Sequence, residues 1–470
     1  MGRGRGDDGS GGGGGGSDET LLTAAEFYCG VGGLHYALLD ALPPASGVQG
    51  GSGSCSAPAR PRVRVRAFDL NPHACETYAH NFGERPKEGN VQALSAQQLD
   101  ALGASLWLMS PPCQPYTRQG LKRDTADGRA ASFLDLLERL REMKAPPTHI
   151  LVENVCGFET SETHAALLSA LRDTGYAAQG AMLSPLEVGV PYSRPRYFVL
   201  AKRVAKGHAF AAHPCAHAYA QKQVQAEAEP EAAGHAEEGQ HAFGVWQSGP
   251  PPQPPWHTLG GVRAGDAAGA GIDADGMRVR PLSDYLENGD APIASDFTYV
   301  SEATLRKHGV VIDLVDADDT KTCCFTKNYY KYAKGTGSVL VTRGSRHDVR
   351  WGDHAWSRVE GPVDASVYPT VGSRSEMAEQ TVADLIALRA RYFTPREVAS
   401  FHSFPPSFGF PDRVTLKQRY ALLGNSLSVA VLTPLIRYLL WDDHEGPSEG
   451  NSHTKHKRHR SDGPERSNGL

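Results

Sequence analysis

Long apolar runs are missing from this chain of 470 residues. A membrane-spanning helix needs about 20 apolar residues, so none is predicted, and the glycine-rich N-terminus predicts no secretory signal. An excess of positive charge is missing too, because 48 Lys and Arg stand against 53 Asp and Glu. Charge alone therefore favours an enzyme of small molecules, and a nucleic-acid partner requires a local basic patch. We expect a soluble intracellular protein.

The eight cysteines are scattered, without a Cys-x-x-Cys pair. This spacing excludes a zinc ribbon and a disulfide framework, so we predict reduced thiols and no metal site. The adjacent Cys323 and Cys324 lack further ligands at metal-binding spacing. For any one of these cysteines, a buried structural thiol is the default interpretation.

Composition divides the chain into folded and unfolded stretches. Residues 1–19 are glycine-rich and predicted to be disordered, and the Gly, Ser and Pro residues of 43–61 predict a flexible insertion. Residues 203–256 have the composition of a linker, and 442–470 form a polar tail. Weak periodicity over 257–385 predicts a smaller, irregular domain.

Strands and helices alternate in the first half of the chain. Residues 63–68 alternate apolar and polar side chains, and the apolar runs at 106–109 and 149–152 predict buried strands. Helices are predicted from Ser132 and over 164–172. This alternation predicts an α/β fold with a parallel sheet covered by helices.

A glycine turn occupies residues 27–34, between a predicted strand and a predicted helix. Such a turn lets a cofactor approach the backbone, and the helix N-terminus offers amide donors. Asp69 ends the next predicted strand and is placed to accept hydrogen bonds from ribose hydroxyls. The acid lies about 20 residues after the turn in nucleotide-binding units, and here the 43–61 insertion lengthens that interval. On these residues alone, a nicotinamide dehydrogenase is an alternative.

Residues 110–116 read Ser-Pro-Pro-Cys-Gln-Pro-Tyr, directly after a predicted strand. The two prolines fix the backbone before Cys113 at the strand's C-terminal end, where ligands bind in open α/β sheets. A cysteine held there is a candidate nucleophile if its thiolate is stabilised. Glu153 follows the next predicted strand, so we expect its carboxyl and the thiol to reach one ring-sized substrate. The alternative for Glu153 is a solvated loop residue.

Arg194 and Arg196 flank Pro195 immediately before the predicted strand 197–201. Two arginines separated by one residue can point the same way and neutralise a phosphate or a carbonyl oxygen. The alternative is a pair of ordinary surface arginines.

Taken together and in this order, these four motifs resemble those of the cytosine-5 methyltransferase family. Residues 392–397 and 418–427 resemble later motifs of the same family. Residues 323–327, Cys-Cys-Phe-Thr-Lys, resemble the Cys-Phe-Thr signature of its transfer-RNA branch. The resemblance covers about residues 21–200 and 300–440.

The resemblance implies a class I S-adenosylmethionine-dependent methyltransferase, a Rossmann-like α/β sheet with helices on both faces and an irregular target-recognition domain. It assigns residues 20–202 and 386–441 to the catalytic domain and 257–385 to target recognition. S-adenosylmethionine is the implied cofactor. The residues expected to bind it are Phe27, Cys29, Gly30, Gly32, Gly33, Leu34, Asp69, Leu70, Pro111, Asn425 and Ser426.

The resemblance makes Cys113 the nucleophile that adds to carbon 6 of cytosine, while Glu153 shares a proton with ring N3. Arg196, together with Arg194, would hold the exocyclic oxygen of the base. The target base must be flipped out or unpaired, and an anticodon loop meets that need. The implied substrate is cytosine 38 of tRNA-Asp. The residues expected to contact it are Gln114, Cys324, Phe325, Thr326, Lys327 and Tyr329.

Two alternatives stay open: a DNA cytosine-5 methyltransferase with the same chemistry, and a catalytically silent nucleic-acid-binding protein. The Cys-Phe-Thr stretch argues against the first, and the intact Cys113, Glu153 and Arg196 argue against the second. We expect a monomer without membrane contact in the cytoplasm, the nucleus or both. The basic run at 455–460 would serve as a nuclear address or an RNA-contacting arm.

Overall fold

The structure is a computed structural model that describes residues 22–42, 63–112, 128–204, 244–246, 279–287, 299–351 and 377–440. Four stretches with sequence-based predictions lie wholly or mostly outside these residues: the N-terminus 1–19, the insertion 43–61, the linker 203–256 and the tail 442–470. Cys113 and Gln114 also lie outside the described residues.

The strands of the described residues, in chain order, are β1 (Leu22–Phe27), β2 (Val63–Asp69), β3 (Lys87–Glu88), β4 (Leu106–Met109), β5 (His149–Val155), β6 (Tyr176–Leu183), β7 (Arg196–Arg203), β8 (Gly244–Trp246), β9 (Leu314–Val315), β10 (Val339–Leu340) and β11 (Arg391–Tyr392). The α-helices are α1 (Gly33–Ala41), α2 (Pro72–Phe82), α3 (Ala96–Asp100), α4 (Gly128–Glu142), α5 (Glu162–Asp173), α6 (Glu302–His308), α7 (Glu379–Ala387), α8 (Pro395–Phe401), α9 (Leu416–Gly424) and α10 (Val429–Leu440).

The larger sheet has the strand order β3-β2-β1-β4-β5-β7-β6-β8. Neighbouring strands from β3 to β5 are parallel, which confirms the Rossmann-like α/β prediction. The expectation of a parallel sheet is wrong for β7, which runs antiparallel to both β5 and β6. The reason is that no crossover helix separates β6 from β7, so the two strands pair directly.

Local sequence explains where several helices begin. The side chain of Asn71 caps α2 by accepting a hydrogen bond from a backbone N–H of the first turn. Thr394 and Thr415 each form a reciprocal capping box with the residue three positions later, at the starts of α8 and α9. The helix predicted to begin at Ser132 begins earlier, at Gly128.

Alternate residues of the central strands point to opposite sides of the sheet. On the first face, Leu106, Leu108 and Leu151 pack with α1 and α10. On the second face, Trp107 and Ile150 pack with α4 and α5. Burying one such side chain contributes roughly 1.5–3 kcal/mol, so both faces stabilise the sheet and fix the directions of its polar residues.

Strands β11, β10 and β9 form a smaller sheet with its own apolar core, built from residues 300–349 and 385–390. The segment Leu416–Leu440 has the length and the mean hydropathy, 1.3, of a membrane span, but 72% of that window is buried inside the protein. It consists of α9 and α10, which are separated by residues 425–428, and α10 packs against α1.

Candidate active site

The candidate site lies at the edge of the larger sheet where β1, β2, β4 and β5 end. Parallel strands place their carboxyl ends at the same edge, which is where ligands bind in open α/β sheets. The glycine loop 28–32 leaves β1, Asp69 ends β2, Ser110 follows β4, and Glu153 lies near the end of β5. The structure therefore brings together the first three motifs, as far as residue 112 of the cysteine segment.

Left-handed residues shape the glycine loop. Tyr28, Gly30 and Gly32 have φ angles of 59°, 55° and 87°, a region that glycine adopts without steric penalty. The carboxylate of Asp69 attaches this loop to β2, because Oδ2 accepts a hydrogen bond from the backbone N–H of Gly30 at 2.8 Å. Its Oδ1 accepts from the backbone N–H of Asn71, also at 2.8 Å.

Leu70, directly after Asp69, is the most exposed large apolar side chain of the described residues, at 71%. An apolar surface beside hydrogen-bond acceptors suits an adenosine moiety, which presents a flat ring and ribose hydroxyls. Each Asp69 oxygen keeps a second lone pair for such a hydroxyl. Burial raises the pKa of Asp69, although the backbone N–H groups that donate to it act in the opposite direction. These two residues fit the implied cofactor.

Three residues predicted to contact the cofactor have buried side chains. Phe27 is fully buried, with its ring centroid 5.2 Å from that of Phe68 and 5.0 Å from that of Trp107. Cys29 and Leu34 are buried as well, and burial raises the pKa of the Cys29 thiol well above its ordinary value. At these positions only the backbone is available to a ligand.

Glu153 is 6% exposed, and both of its carboxylate oxygens have partners. The hydroxyl of Ser110 donates to Oε2 at 2.7 Å, and Nε of Arg196 lies 3.2 Å from Oε1. Since Ser110 begins the segment that leads to Cys113, Glu153 lies beside the start of that segment. Asn154 follows it and keeps a buried amide nitrogen without an acceptor among the described residues.

Arg194 is buried inside the protein, where it is 3% exposed. Its guanidinium donates to five protein atoms, namely Tyr192 Oη at 3.2 Å, Cys324 Sγ at 3.3 Å, Phe325 O at 3.2 Å, Gly424 O at 3.0 Å, and Ser426 O. We expected both arginines to hold the base, but protein acceptors occupy this guanidinium. The expectation is therefore retained for Arg196 alone.

The adjacent cysteines differ in the direction in which the pKa of each thiol is shifted. Burial raises the pKa of both, but the positive charges of Arg194 and Arg196 outweigh burial at Cys324 and lower its pKa below the ordinary value. At Cys323 the nearby Asp313 carboxylate acts in the same direction as burial and raises the pKa. Among the described residues, no group of three His, Cys, Asp or Glu side chains could hold a metal ion.

The residues predicted to contact the substrate divide into core and surface. Phe325 and Tyr329 are 1% and 3% exposed and belong to the first-face core. The Tyr329 hydroxyl donates to the carbonyl of Ser338 at 2.7 Å. We therefore correct the prediction for these two side chains, which the core encloses. Thr326 and Cys324 are half-buried, and Lys327 is exposed.

The segment 424–427 joins distant parts of the site. A Cβ atom at Gly424 would lie 2.2 Å from the backbone of residues 326–327, so the absence of a side chain lets these two segments touch. Leu427 reaches the start of α1, where its Cδ1 would lie 2.4 Å from a Cβ added at Gly33. Asn425 is exposed and Ser426 is buried between the two contacts.

The sequence-based prediction missed three residues that matter to this geometry. Ser110 stood in the cysteine motif, but only the pairing of β4 with β5 places its hydroxyl against Glu153. Tyr192 and His402 are fully buried and hydrogen-bonded to each other, 210 residues apart in sequence. No local sequence pattern predicts a contact between residues so far apart in the chain.

The C-5 cytosine-specific DNA methylase family matches residues 22–441 of this chain. A mouse protein named tRNA (cytosine(38)-C(5))-methyltransferase is 34% identical over 437 residues, covering 89% of this chain and 93% of the mouse protein. A Dictyostelium discoideum protein named DNA (cytosine-5)-methyltransferase is 29% identical over 432 residues, covering 90% and 96% of the two chains.

Among solved structures, the crystal structure of the S. pombe Dnmt2 methyltransferase is similar to this fold, with a TM-score of 0.59 and 28% sequence identity. The similarity covers 90% of this chain and 98% of the yeast chain. Similarity over nearly the full length of both chains includes the smaller sheet as well as the larger one.

Proposed function

Because the chain belongs to the C-5 cytosine-specific DNA methylase family and is therefore a cytosine-5 methyltransferase, we propose that its substrate is a transfer RNA. Relatives named tRNA (cytosine(38)-C(5))-methyltransferase in mouse and human, 34% and 33% identical, support this substrate. The specific proposal is cytosine 38 of tRNA-Asp, modified through a covalent adduct with Cys113. The observation that carries the chemistry is the Ser110–Glu153–Arg196 set beside the cysteine segment.

The first step makes carbon 5 of the ring nucleophilic. The thiolate of Cys113 forms a bond to carbon 6, and the electrons of the carbon 5–carbon 6 double bond move to form a double bond between carbons 4 and 5. The electron pair of the carbon 4–N3 double bond moves to N3, which takes a proton from Glu153. Ser110 and Arg196 hold both oxygens of Glu153 and thereby fix the orientation of its carboxyl group. We propose that Arg196, which contacts Glu153, also donates to the exocyclic oxygen of the same base.

S-adenosylmethionine, when bound, supplies an electrophilic methyl group on a sulfonium sulfur. The glycine loop, Asp69 and Leu70 would hold its adenosine end, for the reasons given above. Transfer of this methyl group to carbon 5 would release the cofactor as a neutral thioether. A base would then remove the proton from carbon 5, and the bond between Cys113 Sγ and carbon 6 would break. The thiolate of Cys113 is thereby regenerated, and Glu153 recovers its proton from N3.

An exposed basic and aromatic surface lies next to the Cys-Phe-Thr stretch. Lys327, Lys331 and Tyr332 are exposed, and Nζ of Lys331 lies 4.9 Å from the centre of the Tyr332 ring. Lysines neutralise phosphates, and an exposed tyrosine stacks on unpaired bases, so this surface suits a single-stranded loop of RNA. We propose it as the tRNA contact in place of the buried Phe325 and Tyr329.

DNA is the second candidate substrate. The Dictyostelium relative, 29% identical over 432 residues, carries a DNA methyltransferase name, and the same chemistry acts on cytosine in either polymer. The two candidates are separated by incubating the purified protein with labelled methyl donor and either total tRNA or duplex DNA, followed by bisulfite sequencing. We expect label in tRNA, at cytosine 38 of tRNA-Asp. Methylation confined to DNA would overturn the substrate proposal.

The covalent step has its own test. A fluorine at carbon 5 cannot leave as a proton does, so RNA containing 5-fluorocytosine should trap the adduct as a complex stable in denaturing gels. We expect this complex with the natural protein and its loss, together with all turnover, in Cys113→Ala. Cofactor binding should survive in that variant. Cys75→Ala, in the buried face of α2, is the matched control that should retain the adduct. Turnover by Cys113→Ala would refute the nucleophile.

A further inference from the structure

Tyr192, Arg194 and His402 form a buried set, the arginine cluster, beneath the candidate site. Tyr192 and His402 are fully buried and Arg194 is 3% exposed. The Tyr192 oxygen lies 3.2 Å from Nη1 of Arg194 and 3.3 Å from Nε2 of His402. The cluster therefore joins α8 and the residue that follows it to the segment that precedes β7.

The hydrogen bonds of this cluster have one consistent direction. Nδ1 of His402 lies 2.9 Å from the carbonyl of Val398, which can only accept, so Nδ1 carries the proton. Burial, reinforced by Arg194 and Arg196, lowers the pKa of His402 well below its ordinary value, which keeps the ring neutral. Nε2 is then an acceptor, so the Tyr192 hydroxyl donates to it and turns its lone pairs toward Arg194.

Arg194 connects this hydrogen-bonded pair to two other segments, residues 324–325 and 424–426. Its guanidinium is planar, so fixing Nη1 against Tyr192 also fixes the bonds to Cys324, Phe325, Gly424 and Ser426. Two residues along the chain, Arg196 contacts Glu153. The orientation of one buried arginine thus decides how the Cys-Phe-Thr stretch and residues 424–426 meet the strand that carries Arg196.

We propose that Tyr192 and His402 are positioning residues for methyl transfer, which fix the plane of Arg194 and thereby the segments around the Glu153–Arg196 pair. The inference rests on the proposed function, because the positioned groups are those of the methylation site. Neither residue touches the reacting atoms.

The test uses a second buried Tyr–His pair as its control. On the other side of the sheet, the Tyr197 hydroxyl lies 3.2 Å from Nε2 of His164, and both residues are buried. Tyr192→Phe and Tyr197→Phe each remove one buried hydroxyl from the full-length protein. We expect similar losses in thermal stability, but only Tyr192→Phe should lower kcat, about tenfold, with KM for tRNA and cofactor within about twofold. Equal kcat in the two variants would overturn the proposal.

The histidine gives a conservative rescue. Gln in place of His402 keeps an acceptor for the Tyr192 hydroxyl, whereas Leu removes it. We expect His402→Gln to keep most of the natural kcat and His402→Leu to match Tyr192→Phe. If Tyr192→Phe does not fold, these two histidine variants test the proposal on their own. An equal loss of kcat in both would contradict the proposal that the histidine acts by accepting the Tyr192 hydrogen bond.

A readout independent of methylation separates this proposal from the proposed function. Nη1 of Arg194 lies 3.3 Å from the half-buried Cys324 sulfur, so a displaced guanidinium should raise the pKa of that thiol. The rate of iodoacetamide labelling at Cys324, followed against pH by peptide mass spectrometry, reports this pKa. The Tyr192 hydroxyl also lowers this pKa directly, so the variants compared are His402→Leu and His402→Gln. We expect the midpoint to rise in His402→Leu and to stay unchanged in His402→Gln and in Tyr197→Phe. If the natural protein methylates neither polymer, the proposed function fails, and this profile alone supports or refutes the cluster.

Discussion

The two faces of the larger sheet are filled in different ways. The second face packs apolar side chains of α4 and α5 against the strands. Its buried polar pair, Tyr197 and His164, lies near the half-buried Glu159 but, among the described residues, beside no buried acidic side chain or arginine. The first face buries charges as well: Glu26 and Glu153 from β1 and β5, and Arg194 before β7. The other buried charged residues of the described chain, Arg391 and Glu397, pair with each other beside the smaller sheet.

The two faces also differ in how far apart in sequence their packed segments lie. The second face is built largely from one stretch of chain, with α4 and α5 packed beside the strands that precede and follow them. The first face joins α1 to α10 and the segment before β7 to residues 324–326 and 424–426. Apolar side chains can repack in more than one way, whereas a buried charged group needs hydrogen-bond partners at specific positions. We infer that the charges fix how the distant segments meet.

Arg194→Met tests the role of the buried charges on the first face and should have the largest effect on stability. The variant leaves several buried acceptors without a donor, so we expect the free energy of unfolding to fall by about 3–5 kcal/mol. Denaturant unfolding followed by circular dichroism measures it. Arg141→Met on α4 is the control, because its partners Glu138 and Asp173 are exposed and such pairs contribute about 0–1 kcal/mol. Equal losses in the two variants would mean that the buried Arg194 contributes no more to the free energy of unfolding than an exposed arginine.

Glu26 provides a second contrast, through pH. Burial raises its pKa from the ordinary 4.5 to about 8, against the hydrogen bonds from Tyr78 and the His35 backbone, and with Asp69 adding to the rise. A raised acid pKa favours folding below the unfolded value, and this contribution is lost as pH rises toward the folded value. The natural protein should therefore lose melting temperature between pH 5 and pH 8 more steeply than Glu26→Gln.

The control for this experiment is Glu138→Gln, at an exposed position on α4. Its melting curve should follow that of the natural protein across the same pH range. Parallel curves for Glu26→Gln and the natural protein would show that Glu26 is not protonated in the folded state near neutral pH.

Gly424→Ala tests the contact between two distant segments of the first face. The new methyl group would meet backbone atoms at 2.2 Å, and backbone cannot rotate away, so we expect a loss of about 1–3 kcal/mol. Gly33→Ala meets the end of the Leu427 side chain, which can move, so its loss should be smaller. Thermal denaturation of both variants shows which substitution causes the larger loss of stability. A larger loss in Gly33→Ala would contradict this account.

Leu70→Ser should have the smallest effect on stability, within about 0.5 kcal/mol, because the side chain is exposed at the edge of the sheet. Calorimetric titration with S-adenosylmethionine should nevertheless show about tenfold weaker binding, since the adenosine moiety loses an apolar contact. Ile386→Ser, at an exposed apolar residue on α7, is the control that should leave the affinity unchanged. Unchanged affinity in Leu70→Ser would remove Leu70 from the cofactor site.

Periodicity predicted the parts of this fold that depend on neighbours in sequence. The apolar runs at 106–109 and 149–152 gave β4 and β5, and the order of strands placed Glu153 beside the cysteine segment. Strand β6 was not predicted because Gln179 and Gly180 interrupt its apolar pattern. The direction of Arg194 was not predictable either, since four of its five acceptors come from segments more than a hundred residues away.

The substrate residues show the same limit. Basic and aromatic side chains from residue 327 to residue 332 matched a nucleic-acid surface, but the pattern cannot tell which tyrosines face solvent. The smaller sheet decides this, because Tyr329 donates to the carbonyl of Ser338 and accepts from the backbone N–H of Phe393. Tyr332, three positions later, is 53% exposed.

The contact between Leu427 and Gly33 has a consequence for biosynthesis. The glycine loop leaves the ribosome among the first described residues, whereas Leu427 and α10, which packs on α1, are made near the end. The nascent chain can complete the second face early from adjacent segments, but the wall behind the glycine loop stays open until the last helix arrives. Contacts of this range are formed slowly, because the chain between them must first be ordered. We therefore expect a chain that ends before α10 to lack the helix that packs on α1, and with it the support behind the glycine loop.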